Sequence, residues 1–445
     1  MPTLLPALAY VTAALKGVHP PGPYESLLPL SPGKVKRLFG RSRAHRRGFR
    51  SVLFLHNSYY HNYYLARALR KRGWDALSVS LEDPNSAQNQ FYHGEDLNLF
   101  HADPSAFRAR LSDFFDKIAP RFRLVHFCGR GHMGVFPENW IGRSGEFVPW
   151  DFLELRRRGV KIAYTISGCL DGVAQSDVNR FTGGLCAKCI WQLHPEVCSD
   201  SINTSWGKKL EAVCSLIAVE TDWALGGRAG PLAYREPLVM CLDPEIWRPD
   251  LEVPADKLLP RQPGELIVFH AVGNYDLRAR QGRNIKGTPA ILHAIERLRA
   301  EGVKVRLEFA SNVQSPDMRY LQVQSDVIVD QLNYGRYGAV AREAMMLGKP
   351  TVCYIDSRQP APVPPLQSLA ECPLVSASEA TIYEVLKDLL LSAERRFALC
   401  AASRAYALKW HGSDACAERY ERVYDRIMQG LPPADTGGDF TAAAA

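Results

Sequence analysis

Short apolar runs alternate with longer amphipathic stretches along most of the chain. Residues 51–55 are apolar after Ser51 and of strand length; 60–73 then spaces its apolar positions as a helix does and ends in Arg-Lys-Arg-Gly. The unit recurs loosely with strand-like runs at 124–127, 160–166 and 215–219 and a helix-like stretch at 152–158. Strand runs without internal alternation are those of a sheet covered on both faces, and their alternation with helices predicts parallel α/β architecture. A second series begins at 266–270, continues with a helix over 288–302 carrying Ile291, Ile295 and Leu298, and proceeds through 303–309, 325–332, 339–347 and 351–355. A last helix is expected over 415–428, with Tyr420, Val423 and Ile427 at helical spacing.

A proline-rich, charged stretch without apolar period, 249–264, separates the two series and reads as a linker. Two α/β domains also suit the 445 residues, more than one hydrophobic core usually supports. The expected organisation is an amino-terminal arm at 1–50, a first domain at 51–248 with an insertion at 167–205, a second at 265–414, the helix 415–428, and a disordered Gly/Ala-rich tail at 429–445. The first uncharged stretch ends at Lys16, too short to span a bilayer, and no basic residue precedes it as in a secretory signal.

Charge changes the picture at one place. Lys34, Lys36, Arg37, Arg41, Arg43, Arg46, Arg47 and Arg50 stand in a segment without a carboxylate and outweigh the net +7 of the whole chain. Upstream, Leu4, Leu8, Val11 and Leu15 form one helical stripe ending at Gly17. Stripe and basic segment together read either as a membrane-surface anchor or as a helix packed on the first domain. Nucleic acid is not an expected partner, because the arm has no interleaved aromatics beyond Phe39 and Phe49.

The passage 325–350 carries the clearest chemistry. A buried strand ends at Asp330, a glycine-punctuated turn runs Asn333-Tyr-Gly-Arg-Tyr-Gly338, and a helix starts at Ala339. Such a turn aims backbone N–H groups and the positive end of a helix dipole at one point, which suits a diphosphate. Glu343, one turn into the helix, can accept hydrogen bonds from ribose hydroxyls, while Gly335 and Gly338 leave room for close approach. On the residues alone the plainer reading stays open: buried α/β units need tight turns, and Glu343 then merely solvates a helix.

Tyr337-Gly338, Glu343-Ala344-Met345 and Gly348-Lys349-Pro350 resemble the donor-binding helix of family 4 glycosyltransferases. Arg283-Asn-Ile-Lys286-Gly-Thr288 is similar to that family's basic Lys-Gly motif. The resemblance covers about 265–356. It implies a GT-B fold, two Rossmann-like domains facing a cleft, with the last helix crossing back to the first. It further implies transfer of a sugar from a nucleotide-diphosphate donor, with retention and without a catalytic metal. Arg283, Lys286, Gly335, Tyr337, Gly338, Ala339 and Glu343 would bind the donor. The family carries a second Glu, contacting the sugar, eight residues before the one matching Glu343; here Gly335 stands there, and Asp330 is the candidate substitute. Many relatives place a catalytic-site His two residues after another His; Leu124-Val-His126-Phe-Cys128 retains only His126, readable as catalytic or as a core histidine. These departures leave a second reading, a degenerate transferase serving as a scaffold that binds nucleotide without transferring.

Eleven cysteines without a secretion signal argue for a reducing compartment. Cys169, Cys186, Cys189 and Cys198 cluster in the polar insertion, where Cys-x2-Cys spacing suits a tetrahedral ion, with His194 in reserve. Structural zinc is the favoured reading, against an iron–sulfur cluster or free thiols. The expected location is cytoplasmic, peripheral at the inner membrane surface if the arm is an anchor; in that case the acceptor would be an envelope or lipid-linked glycan.

Overall fold

A computed structural model describes residues 50–433 apart from 56–59, 86–93, 129–134, 137–149, 183, 220–230, 235, 237–239, 274, 277–283, 312 and 357–365. The side chains of Cys169, Ala187, Lys188 and Ile190 are also outside the description. The arm up to residue 49, Arg283 and the tail beyond 433 therefore lie outside the described residues.

The first half is a seven-stranded parallel sheet. Its strands are β1 (Ser51–Leu55), β2 (Asp75–Ser80), β3 (Leu97–Asn98), β4 (Leu124–Cys128), β5 (Lys161–Ile166), β6 (Leu216–Val219) and β7 (Ala233–Tyr234), in the order 3-2-1-4-5-6-7. Helices α1 (His61–Lys71), α2 (Pro104–Lys117), α3 (Trp150–Arg157), α4 (Gln175–Phe181) and α5 (Asp200–Val213) lie between them. The local signals act as the sequence implies. Asp103 caps α2 by accepting Ala106 N–H at 2.7 Å, with Pro104 in the first turn. Gly73, at φ 86°, follows the end of α1.

The second half holds β8 (Leu266–Val272), β9 (Val305–Ser311), β10 (Val327–Val329) and β11 (Thr351–Val352), all parallel, in the order 11-10-8-9. Its helices are α6 (Thr288–Ala300), α7 (Ser315–Val323), α8 (Ala339–Met346), α9 (Gln367–Ala370), α10 (Ile382–Leu391), α11 (Ala393–His411) and α12 (Ser413–Met428). Two strands are shorter than their apolar runs suggest. β10 stops at Val329, just before Asp330, whose carboxylate accepts from the following loop, and β11 ends at Val352.

Segment 249–264 lies along the second half. Leu259 N–H reaches Gln324 Oε1 at 2.9 Å, and Lys257 pairs with Asp317 at 3.1 Å. The last helix packs on the first half. One apolar cluster joins Phe54, Leu65 and Leu124 to Ala341 and Met345 of α8 and to Tyr420, Val423 and Tyr424 of α12. Arg50, the last residue of the basic segment, ends on the same helix, pairing with Glu421 at 3.1 Å and Asp425 at 2.8 Å. Among the described residues no helix is long and apolar enough to cross a membrane.

Candidate functional site

The order of strands reverses between β8 and β10, and in open α/β sheets such a switch point opens a crevice at the carboxyl ends of the strands. Two loops meet there. One leads from β8 to α6 and carries Lys286; the other leads from β10 to α8. Asp330 connects them. Its buried carboxylate (0% exposed) accepts the Gly338 N–H at 2.7 Å through one oxygen and the Lys286 ammonium through the other. Lys286, 14% exposed in its side chain, is held at the edge of this pair, and an ammonium has three protons to donate. The first-turn amides of α8, from Ala339 on, have no intrahelical acceptor and carry the positive end of its dipole. A cation and a helix start thus meet at one crevice.

Glycines allow this proximity. Gly287 has φ 71°, and a Cβ on it would lie 2.7 Å from Leu332 Cβ, so only glycine lets the Lys286 loop lie against the second loop. Gly335 has φ 81°, and a Cβ there would meet Asp356 Cβ at 3.0 Å. The position that carries Glu in the resembled family is therefore built here for glycine, with the Asp356 carboxyl group beside it. Arg336 locks the turn by donating to the carbonyls of Gly335 (2.7 Å) and Asp356 (2.6 Å).

The other candidates fall into place unequally. Tyr337 is an anchor: its hydroxyl bonds the Tyr406 hydroxyl (2.9 Å) and His411 Nε2 (3.2 Å), which ties the turn to α11. Glu343 is not on an open wall. It is 3% exposed, takes a hydrogen bond from the Tyr60 hydroxyl at the entrance to α1, and takes another from Gln322 Nε2 at 3.1 Å. Burial pushes its carboxyl up to about 7, against the opposing effect of those two donors and of Arg342. Tyr60 and Gln322 could not be found from the sequence, since neither lies near Glu343 along the chain.

Two expectations are corrected. Asp330 does not face a sugar; its carboxylate is enclosed and consumed by Lys286 and Gly338, so it positions the loops. His126 is 1% exposed, with its nitrogens on the Thr165 hydroxyl (2.7 Å) and the Tyr424 hydroxyl of α12. Burial lowers its pKa to about 3, so it is a neutral core histidine and not an acid or base meeting substrate.

In the insertion, Cys186 stands two residues after Gly184, which is at φ 103°, and a tight turn brings Cys189 N–H to Cys186 O at 3.0 Å. Cys198 Sγ accepts from Asn203 Nδ2 at 3.4 Å and Gln175 Nε2 at 3.8 Å, while Cys186 Sγ donates to Gln175 O at 3.5 Å. His194 pairs with Glu196 at 3.1 Å. Among the described residues no three His, Cys, Asp or Glu side chains form a group fit to hold a metal; the Cys169 side chain lies outside them. The insertion also reaches the second half: Phe181, Thr182 and Leu185 share a cavity with Asn284, Leu332 and Asn333, and Tyr334 of the β10–α8 turn packs on the same first-half core as Phe181 and Cys186.

Neither a protein-family model nor a curated protein sequence matches the chain. Its architecture is similar to that of sucrose-phosphate synthase from Thermosynechococcus elongatus, at 15% identity and a TM-score of 0.53, over 86% of this chain and 100% of that one. Anabaena HepE in complex with UDP and glucose aligns at 11% identity and a TM-score of 0.47, over 84% and 98% of the two chains. A glycosyltransferase from Rickettsia africae aligns at 11% and 0.49, over 85% and 99%. The fold is GT-B: two parallel α/β domains, as in sucrose-phosphate synthase.

Proposed function

We propose that the chain is a glycosyltransferase that moves a sugar from a nucleotide-diphosphate donor to an acceptor bound on the first domain, with retention. The observation that carries the reading is the meeting of Lys286 with the start of α8 at the switch point of the second sheet. Negative charge builds on the diphosphate as it departs. Lys286, Arg283 and the α8 amides are suited to meet that charge, for which reason no step is assigned to a metal ion. Glu343 would accept the ribose hydroxyls once Tyr60 releases it. The Tyr60 hydroxyl now makes the kind of hydrogen bond to Glu343 that a ribose hydroxyl would make.

The test is a thermal-shift panel of nucleotide-diphosphate sugars on the full chain. At least one donor should raise the melting temperature, and Lys286→Met should remove the rise. No shift with any donor sinks the reading. A shift without hydrolysis or transfer to any acceptor would instead support the scaffold reading, which the covered Glu343 and the glycine at 335 favour.

The insertion, in this reading, holds a structural zinc through Cys169, Cys186, Cys189 and Cys198. Spacing supports this, as do the two N–H donors on Cys198 Sγ, the kind of outer-shell bond that steadies a thiolate; Cys186, Cys189 and Cys198 do not converge on one point in this structure and would have to close on the ion. Metal analysis of the purified chain should give one zinc, lost on Cys189→Ser; iron or negligible metal would overturn it. The arm 1–50 is proposed to rest on anionic membrane at the cytoplasmic face, making an envelope or lipid-linked glycan the acceptor. Flotation with anionic liposomes that is unchanged on deleting 1–50 would refute this.

A further inference from the structure

A cavity of about 390 Å³ lies between the cysteine-rich insertion and the donor half. Its walls differ in chemistry. Phe181 and Leu185, from the end of α4 and the turn after it, form an apolar side; Asn284, Asn333, Glu379 and Tyr354 form a polar one. The polar wall is fixed in place. Asn333 Nδ2 donates to Glu379 Oε1 at 2.8 Å and to Asn284 O at 2.6 Å, and Asn284 Nδ2 donates to the same Glu379 oxygen.

We propose that this cavity is a binding subsite for a neutral sugar ring, and that the insertion is its specificity wall. A pyranose offers hydroxyls that need acceptors and donors at fixed angles and C–H faces that pack on aromatic rings. Glu379 supplies carboxylate oxygens with spare lone pairs, Asn284 and Asn333 supply amides, and Phe181 and Tyr354 supply ring faces. The carboxylate also sets the charge of the ligand. A sugar phosphate or uronic acid would bring a second anion against Glu379, whereas a neutral ring brings only donors. The volume suits a ligand of one or two rings, at the lower end of the ~300–1,000 Å³ typical of small-molecule sites.

The cavity is joined to the donor crevice through its own walls. Asn333 N–H bonds Ile285 O at 3.1 Å, one residue before Lys286, and Leu332, also lining the cavity, is the residue against which Gly287 closes. Tyr334 packs on the apolar core of the first half, against which Phe181 also packs. A sugar in the cavity would therefore sit beside the loop that carries the cation. A role for this sugar as the acceptor rests on the function proposed above; the binding itself does not.

Saturation-transfer NMR on the full-length protein tests it, with methyl glucoside, methyl mannoside, methyl galactoside, methyl N-acetylglucosaminide, maltose and cellobiose as probes. At least one should receive saturation, and its affinity should fall on the order of tenfold in Phe181→Ala and in Glu379→Gln, the loss expected when about 1.4 kcal/mol is removed. Glu379 is exposed, so its variant folds even if Phe181→Ala does not. No probe binding, equal binding in both variants, or tighter binding of methyl glucuronide, run as the charged control, than of methyl glucoside would each overturn the subsite. The nucleotide thermal shift is read in parallel. Sugar binding without it would defeat the donor reading and leave the subsite standing, and Phe181→Ala should keep it.

Discussion

Each half of the molecule buries a histidine on a strand that flanks its switch point, and the two differ in what holds them. His126 on β4 meets two hydroxyls, Thr165 and Tyr424, and either can donate or accept. His270 on β8 meets the Val329 carbonyl at 2.9 Å and the Thr288 hydroxyl at 2.9 Å. A carbonyl only accepts, so His270 Nδ1 carries the proton and its Nε2 must accept from Thr288. His126 therefore fastens the returning helix α12 to the first sheet. His270 braces β10 and the first residue of α6, directly behind Lys286. Burial lowers the pKa of both, to about 3 and about 4, and Lys286 adds to the lowering only for His270. The same residue type in the same kind of place serves assembly in one half and the candidate site in the other.

The largest loss is expected at the charged pair Lys286–Asp330 beside His270, which has no counterpart beside His126 among the described residues. Lys286→Met leaves the Asp330 carboxylate enclosed without its cation, and removing one partner of a buried pair costs about 3–5 kcal/mol. Urea unfolding measures the loss. Adding Asp330→Asn to the same chain should restore most of it, since no buried charge is then unmatched, while nucleotide binding should stay lost. A cost under about 1 kcal/mol for Lys286→Met would mean that water reaches Asp330 and that the pair does not organise the loops.

What could be read from the sequence follows the range of the interactions. Strand and helix periods are local, so two α/β domains with parallel sheets were legible, as was the turn into α8 with its Lys-Gly companion. Contacts across the chain were not. Nothing near residue 343 signals that Tyr60 will cover Glu343. His126 has the same sequence surroundings whether it faces a cleft or Tyr424. Gly335 reads as a lost carboxylate, while the structure shows a left-handed turn residue with Asp356 at its side. The insertion reads as a cysteine motif, and its Phe181 wall against Asn333 and Glu379 emerges only when the halves are together.

Glu343 titrates in the opposite sense to the histidines. Its folded pKa, about 7, lies above the ordinary carboxyl value of 4.5. Its contribution to stability is therefore complete below about pH 4.5 and lost as pH rises through about 7. The buried histidines lose theirs as pH falls below 6.5 toward their folded values. Glu343→Gln removes only the first effect. Relative to the parent, the variant should gain stability between pH 5 and pH 8, by up to about 3 kcal/mol at roughly 1.4 kcal/mol per pH unit. The charges nearest the group are Arg342, which favours the carboxylate, and Asp330, which opposes it. A stability difference independent of pH would show that Tyr60 does not keep Glu343 covered in solution.

The smallest expected effect separates the histidines themselves. Tyr424→Phe and Thr288→Val each take one hydroxyl from a buried imidazole while nearly preserving shape, and each should cost about 1–3 kcal/mol for the nitrogen left without its partner. Equal costs are the point of the pairing, because the second reading then differs. Tyr424→Phe loosens α12 on the first sheet, removing a partner of His126 and none of Lys286 or Asp330, and should leave the nucleotide thermal shift unchanged. Thr288→Val leaves His270 Nε2 with no donor at the start of α6, immediately after Gly287, so the Lys286 loop loses its backing and the shift should shrink. If both variants unfold alike and both retain the shift, His270 is a core histidine like His126, and Lys286 owes its place to Asp330 alone.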